Sequence, residues 1–140
     1  MKVFLDTNVI LDILMESRPD HMDSATILKL VSSGAVAAVI STQSVIDASY
    51  VFSQRNKMPA ERFRKAVVLI MNAVEVVSIS ENNIKAALRR GGSDLEDAAQ
   101  MECACDSACD AVISSDRGLT PPGGMTLYTP KSFCAMIFGL

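Results

Sequence analysis

An α/β fold with a mostly parallel central sheet between two layers of helices, a three-layer α/β/α arrangement, is what this sequence predicts. Three observations carry that expectation. The chain is 49% hydrophobic and 21% charged, with apolar positions filled by Val, Ile, Leu, Ala and Met and only 5% aromatic residues. Such a composition suits parallel strands buried on both faces. Short strand-like runs alternate with longer stretches of helical spacing, as in βαβ units joined by right-handed crossovers. The length of 140 residues fits one domain spanning 1–140, large enough for a substantial core.

Lys2 to Leu5 reads as a buried strand, followed by Asp6-Thr7-Asn8 and the spacing Val9, Ile10, Ile13, Leu14 of an amphipathic helix. Pro19 and Asp20 open a second helix through Ile27, Leu28 and Leu30. Gly34 stops it, and Ala35 to Ile40 follows as a strand. Ser41 or Thr42 caps the next helix, expected to turn Val45, Ile46, Tyr50, Val51 and Phe52 inward around Asp47. Asn56-Lys57-Met58-Pro59 marks a break. A helix over Pro59 to Met71 leads to a strand over Val74 to Ile79, and a helix begun by Ser80 and Asn82 ends near Arg90. After Gly91-Gly92-Ser93, Asp94 is a suitable N-cap for a helix to about Asp106. Ala111 to Ser114 is the next strand, with Asp116 just beyond it. The Pro/Gly loop from Thr120 to Gly124 precedes a strand over Met125 to Tyr128 and a terminal helix from Pro130 to about Phe138.

The beginning of the chain has no basic segment leading into a long apolar run, so a secretory signal is not expected. No stretch reaches the length of a membrane helix, and a cytoplasmic location without membrane association follows as an expectation. The 4 cysteines, Cys103, Cys105, Cys109 and Cys134, crowd toward the C-terminal part and read as free thiols. Cys105 and Cys109 are spaced to share a helix face, but His21 is remote and no second pair completes a zinc site. The net charge of −3 argues against a non-specific nucleic-acid coat, which needs an excess of Lys and Arg. It is compatible with an acidic site that reaches phosphates through cations.

Such a site is suggested by Asp6 and Asp116 at strand ends and by Asp47 and Asp97 on helices in apolar stretches. Ligands of open α/β sheets sit outside the carboxyl ends of the strands. An unpaired carboxylate among apolar neighbours is costly, and a shared cation resolves that cost. Mg²⁺ and Mn²⁺ prefer hard oxygen ligands, and such ions promote attack of water on phosphorus without a Ser, Cys or His nucleophile. Asp6, Asp97 and Asp116 are the expected metal ligands, close enough to share an ion, with Asp47 a further catalytic acid. Asp94 either caps its helix or looks into the cleft beside Asp97. Thr7 and Asn8 either cap the first helix or support the site, Asn8 from behind the ligands. Asp12 and Glu96 read as surface charges. Arg117, Arg89 and Arg90 are phosphate candidates whose more ordinary reading is solvated surface.

Phe4-Leu5-Asp6-Thr7-Asn8-Val9-Ile10-Leu11-Asp12, Ser41 with Asp47, Asp94-Leu95-Glu96-Asp97-Ala98 and Ile113-Ser114-Ser115-Asp116 together resemble the successive motifs of PIN domains. Tyr128-Thr129-Pro130 before a short helix is similar to the end of bacterial single-domain members, including VapC-type toxins. The resemblance implies a Mg²⁺- or Mn²⁺-dependent endoribonuclease cleaving single-stranded RNA. By position Asp6, Asp47, Asp97 and Asp116 would be the acids, Thr7, Asn8 and Ser114 polar supports, and Asp94 an accessory acid. It also implies a possible antitoxin partner and a homodimer. The second acid of the family is usually Glu, where this chain has Asp47. The alternatives are a catalytically weak PIN-like module that binds RNA or protein, and a phosphate-handling receiver-like domain. The latter looks for a Lys after a late strand, and none follows here.

Overall fold

Alternation along each strand divides the interior into two cores. The structure, a computed structural model, describes residues 1–55 and 59–140; the break expected at residues 56–58 lies outside them. In chain order the elements are β1 (Lys2–Leu5), α1 (Thr7–Leu14), α2 (His21–Ser32), β2 (Ala37–Ser41), α3 (Thr42–Arg55), α4 (Ala60–Ala73), β3 (Glu75–Val77), α5 (Glu81–Arg90), α6 (Leu95–Asp106), β4 (Ala111–Ile113), β5 (Thr126–Tyr128) and α7 (Pro130–Phe138). The sheet has 5 strands in the order β3-β2-β1-β4-β5, and every neighbouring pair is parallel.

Phe4 stands in register with Val39 on one side and Val112 on the other. These three form one face with Met101 and Ala104 of α6. Val3, Leu5, Ala38, Ile40, Ala111 and Ile113 point to the opposite face, where they pack with α1, α2, α4 and Phe133 of α7. The period of two in the strand side chains therefore builds the three-layer arrangement directly. β2 lies on one side of β1 and β4 on the other. The chain thus reverses its direction of winding at β1, opening a crevice beyond the ends of β1 and β4.

The elements agree with the sequence reading to within a few residues, with the third and fifth strands shorter than expected. Gly34 ends α2 in a left-handed conformation, φ 82°. The cysteines are free, and α6 ends before Ala108, which has φ 57°. Cys109 lies beyond that turn, so it does not share a helix with Cys105. Among the described residues no helix is long and apolar enough to cross a membrane.

Two surface assignments change. Ile46 and Tyr50 face outward, 65% and 67% exposed, because Ser44, Ala48 and Phe52 form the buried stripe of α3. Positions 46 and 50 then fall on the opposite side of a 3.6-residue turn. Asp12 is not a surface charge: it is 2% exposed. The residues around it, Val9 to Leu11 and Leu14, are all buried, since α1 contacts both α2 and α3 as well as the sheet side of the core. The Asp12 carboxylate takes an Arg18 Nε contact at 2.7 Å and accepts from Ser24 Oγ at 3.1 Å. His21 Nδ1 bonds the Asp12 carbonyl at 2.7 Å.

This network joins α1 to the start of α2. Removing one member of a buried pair strands the other, at a cost of ~3–5 kcal/mol. Arg18 is partly open to water, so Asp12→Ala should lose about 3 kcal/mol in urea denaturation. Arg18→Met, which leaves the buried carboxylate uncompensated, should lose at least as much.

Candidate active site

Asp6 follows β1 directly, with its side chain 8% exposed and held on every side. Its Oδ1 accepts from the Thr7 backbone N–H at 2.8 Å, while Oδ2 accepts from Ser114 Oγ at 2.7 Å and Asn8 Nδ2 at 3.2 Å. Asn8 Nδ2 also reaches Ser114 Oγ at 3.0 Å, and Asn8 Oδ1 accepts from the Ser115 backbone at 3.1 Å. Asn8 and Ser114 thus both hydrogen-bond the Asp6 carboxylate. Thr7 is turned toward α3, where its hydroxyl donates to Ser44 Oγ at 2.9 Å.

Asp116 lies past β4. Its backbone N–H donates to Ser114 Oγ at 3.0 Å, and its Oδ1 accepts from Gly118 at 2.9 Å. Asp97 comes from the first turn of α6, and Asp94 caps that helix by accepting from the Asp97 N–H at 3.0 Å. Of the two readings of Asp94, the capping geometry is present. Asp94 lines a neighbouring depression that it shares with Asp97.

Asp6, Asp47, Asp97 and Asp116 line one open cleft of about 270 Å³ together with Thr7, Asn8, Leu11, Glu96 and Gln100. It lies at the carboxyl edge of the sheet, over the crevice beside β1. Closeness is not uniform: among the described residues no three His, Cys, Asp or Glu side chains form a common metal-binding group. Asp47 is half-exposed rather than sunk among apolar neighbours, and Gln43 Nε2 donates to its Oδ1 at 2.9 Å.

The cleft's electrostatics reflect crowded acids. Burial is the largest influence on Asp6 and raises its carboxyl above the usual range, with Asp116 adding to the rise. Burial also lifts Asp97 to about 6, and the charges of Asp94, Asp6 and Asp116 push the same way. Glu96 is raised to about 7, foremost because its protonated form is hydrogen-bonded to Asp47.

Glu96 is exposed, as expected of a surface charge, and it also lines the cleft beside Asp47. Gln100 carried no sequence signal beyond its place one turn after Asp97 and Glu96, on the same face of α6. It is 2% exposed. Its Nε2 donates to Ser44 Oγ at 2.9 Å, while its Oε1 is buried without a hydrogen-bond partner. An unmet buried acceptor costs about 1–3 kcal/mol.

The arginines lie outside the residues that line the cleft. Arg117 is exposed and does not line the cleft. Arg90 ties α5 to the loop between β4 and β5: its Nη2 donates to the Thr120 carbonyl at 2.6 Å, and its Nη1 lies 3.6 Å from Glu102 of α6. Arg89 is exposed.

Known proteins share both the sequence pattern and the fold. Ribonuclease VapC1 of Aquifex aeolicus is 28% identical over 138 residues, covering 95% of this chain and 93% of that protein. VapBC2 from Rickettsia felis, solved with a DNA fragment from its promoter, has a chain that superimposes with TM-score 0.68 at 12% identity, covering 92% of this chain and 98% of its own. VapC20 of Mycobacterium tuberculosis, a sarcin-ricin loop cleaving toxin, gives TM-score 0.61 at 13% identity, with 85% of this chain and 97% of its own covered. The family model described as PIN domain matches residues 2–118. With that match over most of its length, the strand-end acids Asp6 and Asp116 inside it and the parallel sheet that carries them, the chain belongs to the PIN domain family.

Proposed function

We propose that this protein is a divalent-metal-dependent endoribonuclease of the VapC toxin type, cutting single-stranded RNA at the acidic cleft in the cytoplasm. One observation carries the reading: Asp6, Asp47, Asp97 and Asp116, from four separate parts of the chain, line one cleft at the carboxyl edge of the sheet. The 28% identity to a ribonuclease along nearly the whole chain supports it.

The donor set suits Mg²⁺ or Mn²⁺. It consists of hard carboxylate oxygens with no thiol or imidazole in the cleft, and ions of this kind keep several waters, so not every acid has to touch them. Asp6, Asp97 and Asp116 would hold the cation, with Asp47 and Glu96 beside them in the same cleft. When bound, such a cation supplies a polarised water for attack on phosphorus and positive charge for the developing phosphate oxygens. The chain's own contribution is positional. Asn8, Ser114 and the Thr7 N–H fix the buried Asp6, the Gly118 N–H fixes Asp116, and the α6 N-terminus presents Asp97.

The solved relatives include a toxin-antitoxin complex from Klebsiella pneumoniae, of TM-score 0.64. By likeness to it, this chain would pair with an antitoxin; a second copy of itself is the other partner proposed. The outward Ile46, Tyr50, Val68 and Leu69 give such a partner apolar surface to cover. A module that binds RNA without cutting it is the competing reading.

Purified protein should cleave single-stranded RNA with Mn²⁺ or Mg²⁺ and stop with EDTA. Asp97→Asn and Asp116→Asn should each reduce the rate by at least ~100-fold, about 2.7 kcal/mol of barrier. RNA binding without cleavage in the metal-loaded parent would favour the competing module. At Asp47, loss of charge should matter more than change of length: Asp47→Ala should lose nearly all activity per folded molecule, and Asp47→Glu should keep a substantial part. An alanine variant cutting at the parental rate would remove Asp47 from the reaction.

The raised carboxyls also set the pH response of the metal-free protein. A carboxyl whose value is higher in the folded state than unfolded stabilises fully below its unfolded value, and that stability is lost as pH rises through the folded one. For Asp97 the window runs from 3.8 to about 6, and for Glu96 from 4.5 to about 7. Their contribution to the apo melting temperature should therefore fall between pH 4 and 7, less steeply at high salt because salt screens the repulsion among the partly exposed acids. Asp97→Asn should flatten the decline, and saturating Mn²⁺ should reverse it; a slope identical in parent and Asp97→Asn would show that Asp97 is not the group titrating.

A further inference from the structure

We propose that Gln100 is a positioning residue for the cation's water shell, its Oε1 accepting a hydrogen bond from a cation-bound water while Ser44 holds the amide in that orientation. The inference rests on the metal-dependent reading above and assigns a role to a residue outside the acid set. Three observations meet at this side chain. It lines the acidic cleft, it is 2% exposed, and its Oε1 has no hydrogen-bond partner.

No donor makes a hydrogen bond to that oxygen. In the ionised forms that a bound cation favours, Asp6, Asp47, Glu96, Asp97 and Asp116 are acceptors only. The Thr7 hydroxyl is directed to Ser44, and the Asn8 amide is engaged with Asp6 and Ser114. In the proposed arrangement the missing donor comes from something the cleft binds. A water on a divalent cation is a strongly polarised donor, and a carbonyl dipole among carboxylates adds to the attraction for positive charge.

The other end of the amide explains the orientation. Gln100 Nε2 donates to Ser44 Oγ, a hydroxyl also contacted by Thr7 Oγ1 at 2.9 Å and Ser41 Oγ at 3.2 Å. With the NH₂ group engaged by this hydroxyl cluster, the carbonyl is the end left over. If packing were the only requirement, an apolar side chain of similar length would fill the position without an unmet acceptor.

The test is Mn²⁺ binding to the metal-free full chain, read by isothermal titration calorimetry and by the loss of the free Mn²⁺ paramagnetic signal, for the parent, Gln100→Met and Gln100→Glu. Loss of a group that orients metal ligands from behind typically weakens affinity by ~10–100-fold. Gln100→Met should therefore bind Mn²⁺ at least ~10-fold more weakly, while Gln100→Glu, which keeps an acceptor at the same reach, should bind as tightly as the parent or tighter. Unchanged affinity in Gln100→Met overturns the assignment, whatever happens to its melting temperature. Equal weakening in both variants also overturns it, because that points to a disturbed helix rather than a missing acceptor. A parent that takes up no Mn²⁺ removes the metal-dependent reading itself, an outcome distinct from a parent that binds and a Gln100→Met that binds equally well.

Discussion

The molecule depends on how one buried carboxylate is held between two strands. Asp6 continues β1, its backbone N–H donates to the Ile113 carbonyl of β4 at 3.1 Å, and its side chain bonds Ser114 just past that strand. The same carboxylate receives the first N–H of α1, so a strand pairing, a helix start and an acidic site share one group. A desolvated carboxylate is tolerable only with such bonds. The sheet order, with β1 flanked by β2 and β4, is what brings Ser114 within reach of a residue 108 positions away.

Around that fixed acid the site is built in electrostatic conflict. Burial and neighbouring negative charge push Asp6 and Asp97 upward, and Glu96 gains its rise chiefly from a hydrogen bond with Asp47. The fold therefore gives up some stability near neutral pH to keep acids together. A bound cation would turn that unfavourable repulsion into affinity, since each carboxylate that resists ionisation alone is favoured in its charged form beside a positive ion.

Helix α6 does much of the presenting. Asp94 caps it, Asp97 and Glu96 occupy its first turn, and Gln100 follows one turn later on the face toward the cleft. Its other side packs Met101 and Ala104 against Phe4, Val39 and Val112, which anchors the helix while its N-terminal turn stays open to water. A rigid apolar seat beneath a polar first turn sets the direction in which these side chains reach.

Periodicity made the fold legible in the sequence. Val3-Phe4-Leu5, Ala38-Val39-Ile40 and Ala111-Val112-Ile113 are short, apolar runs between helical stretches, and local repulsion from water suffices to mark them as buried strands. The strand-end acids Asp6 and Asp116 were legible for the same reason, because the parallel architecture places such ends along one edge. Asp12, Glu96 and Gln100 were not. A charged or amide side chain in a helix carries no mark of whether its face meets water or another element, and that is decided by packing: α2 folding over α1 buries Asp12, and the seating of α6 turns Glu96 and Gln100 toward Asp47 and Ser44. The unmet Gln100 oxygen is likewise a product of tertiary structure, since it arises only when Ser44, a residue 56 positions away, takes the other end of the amide.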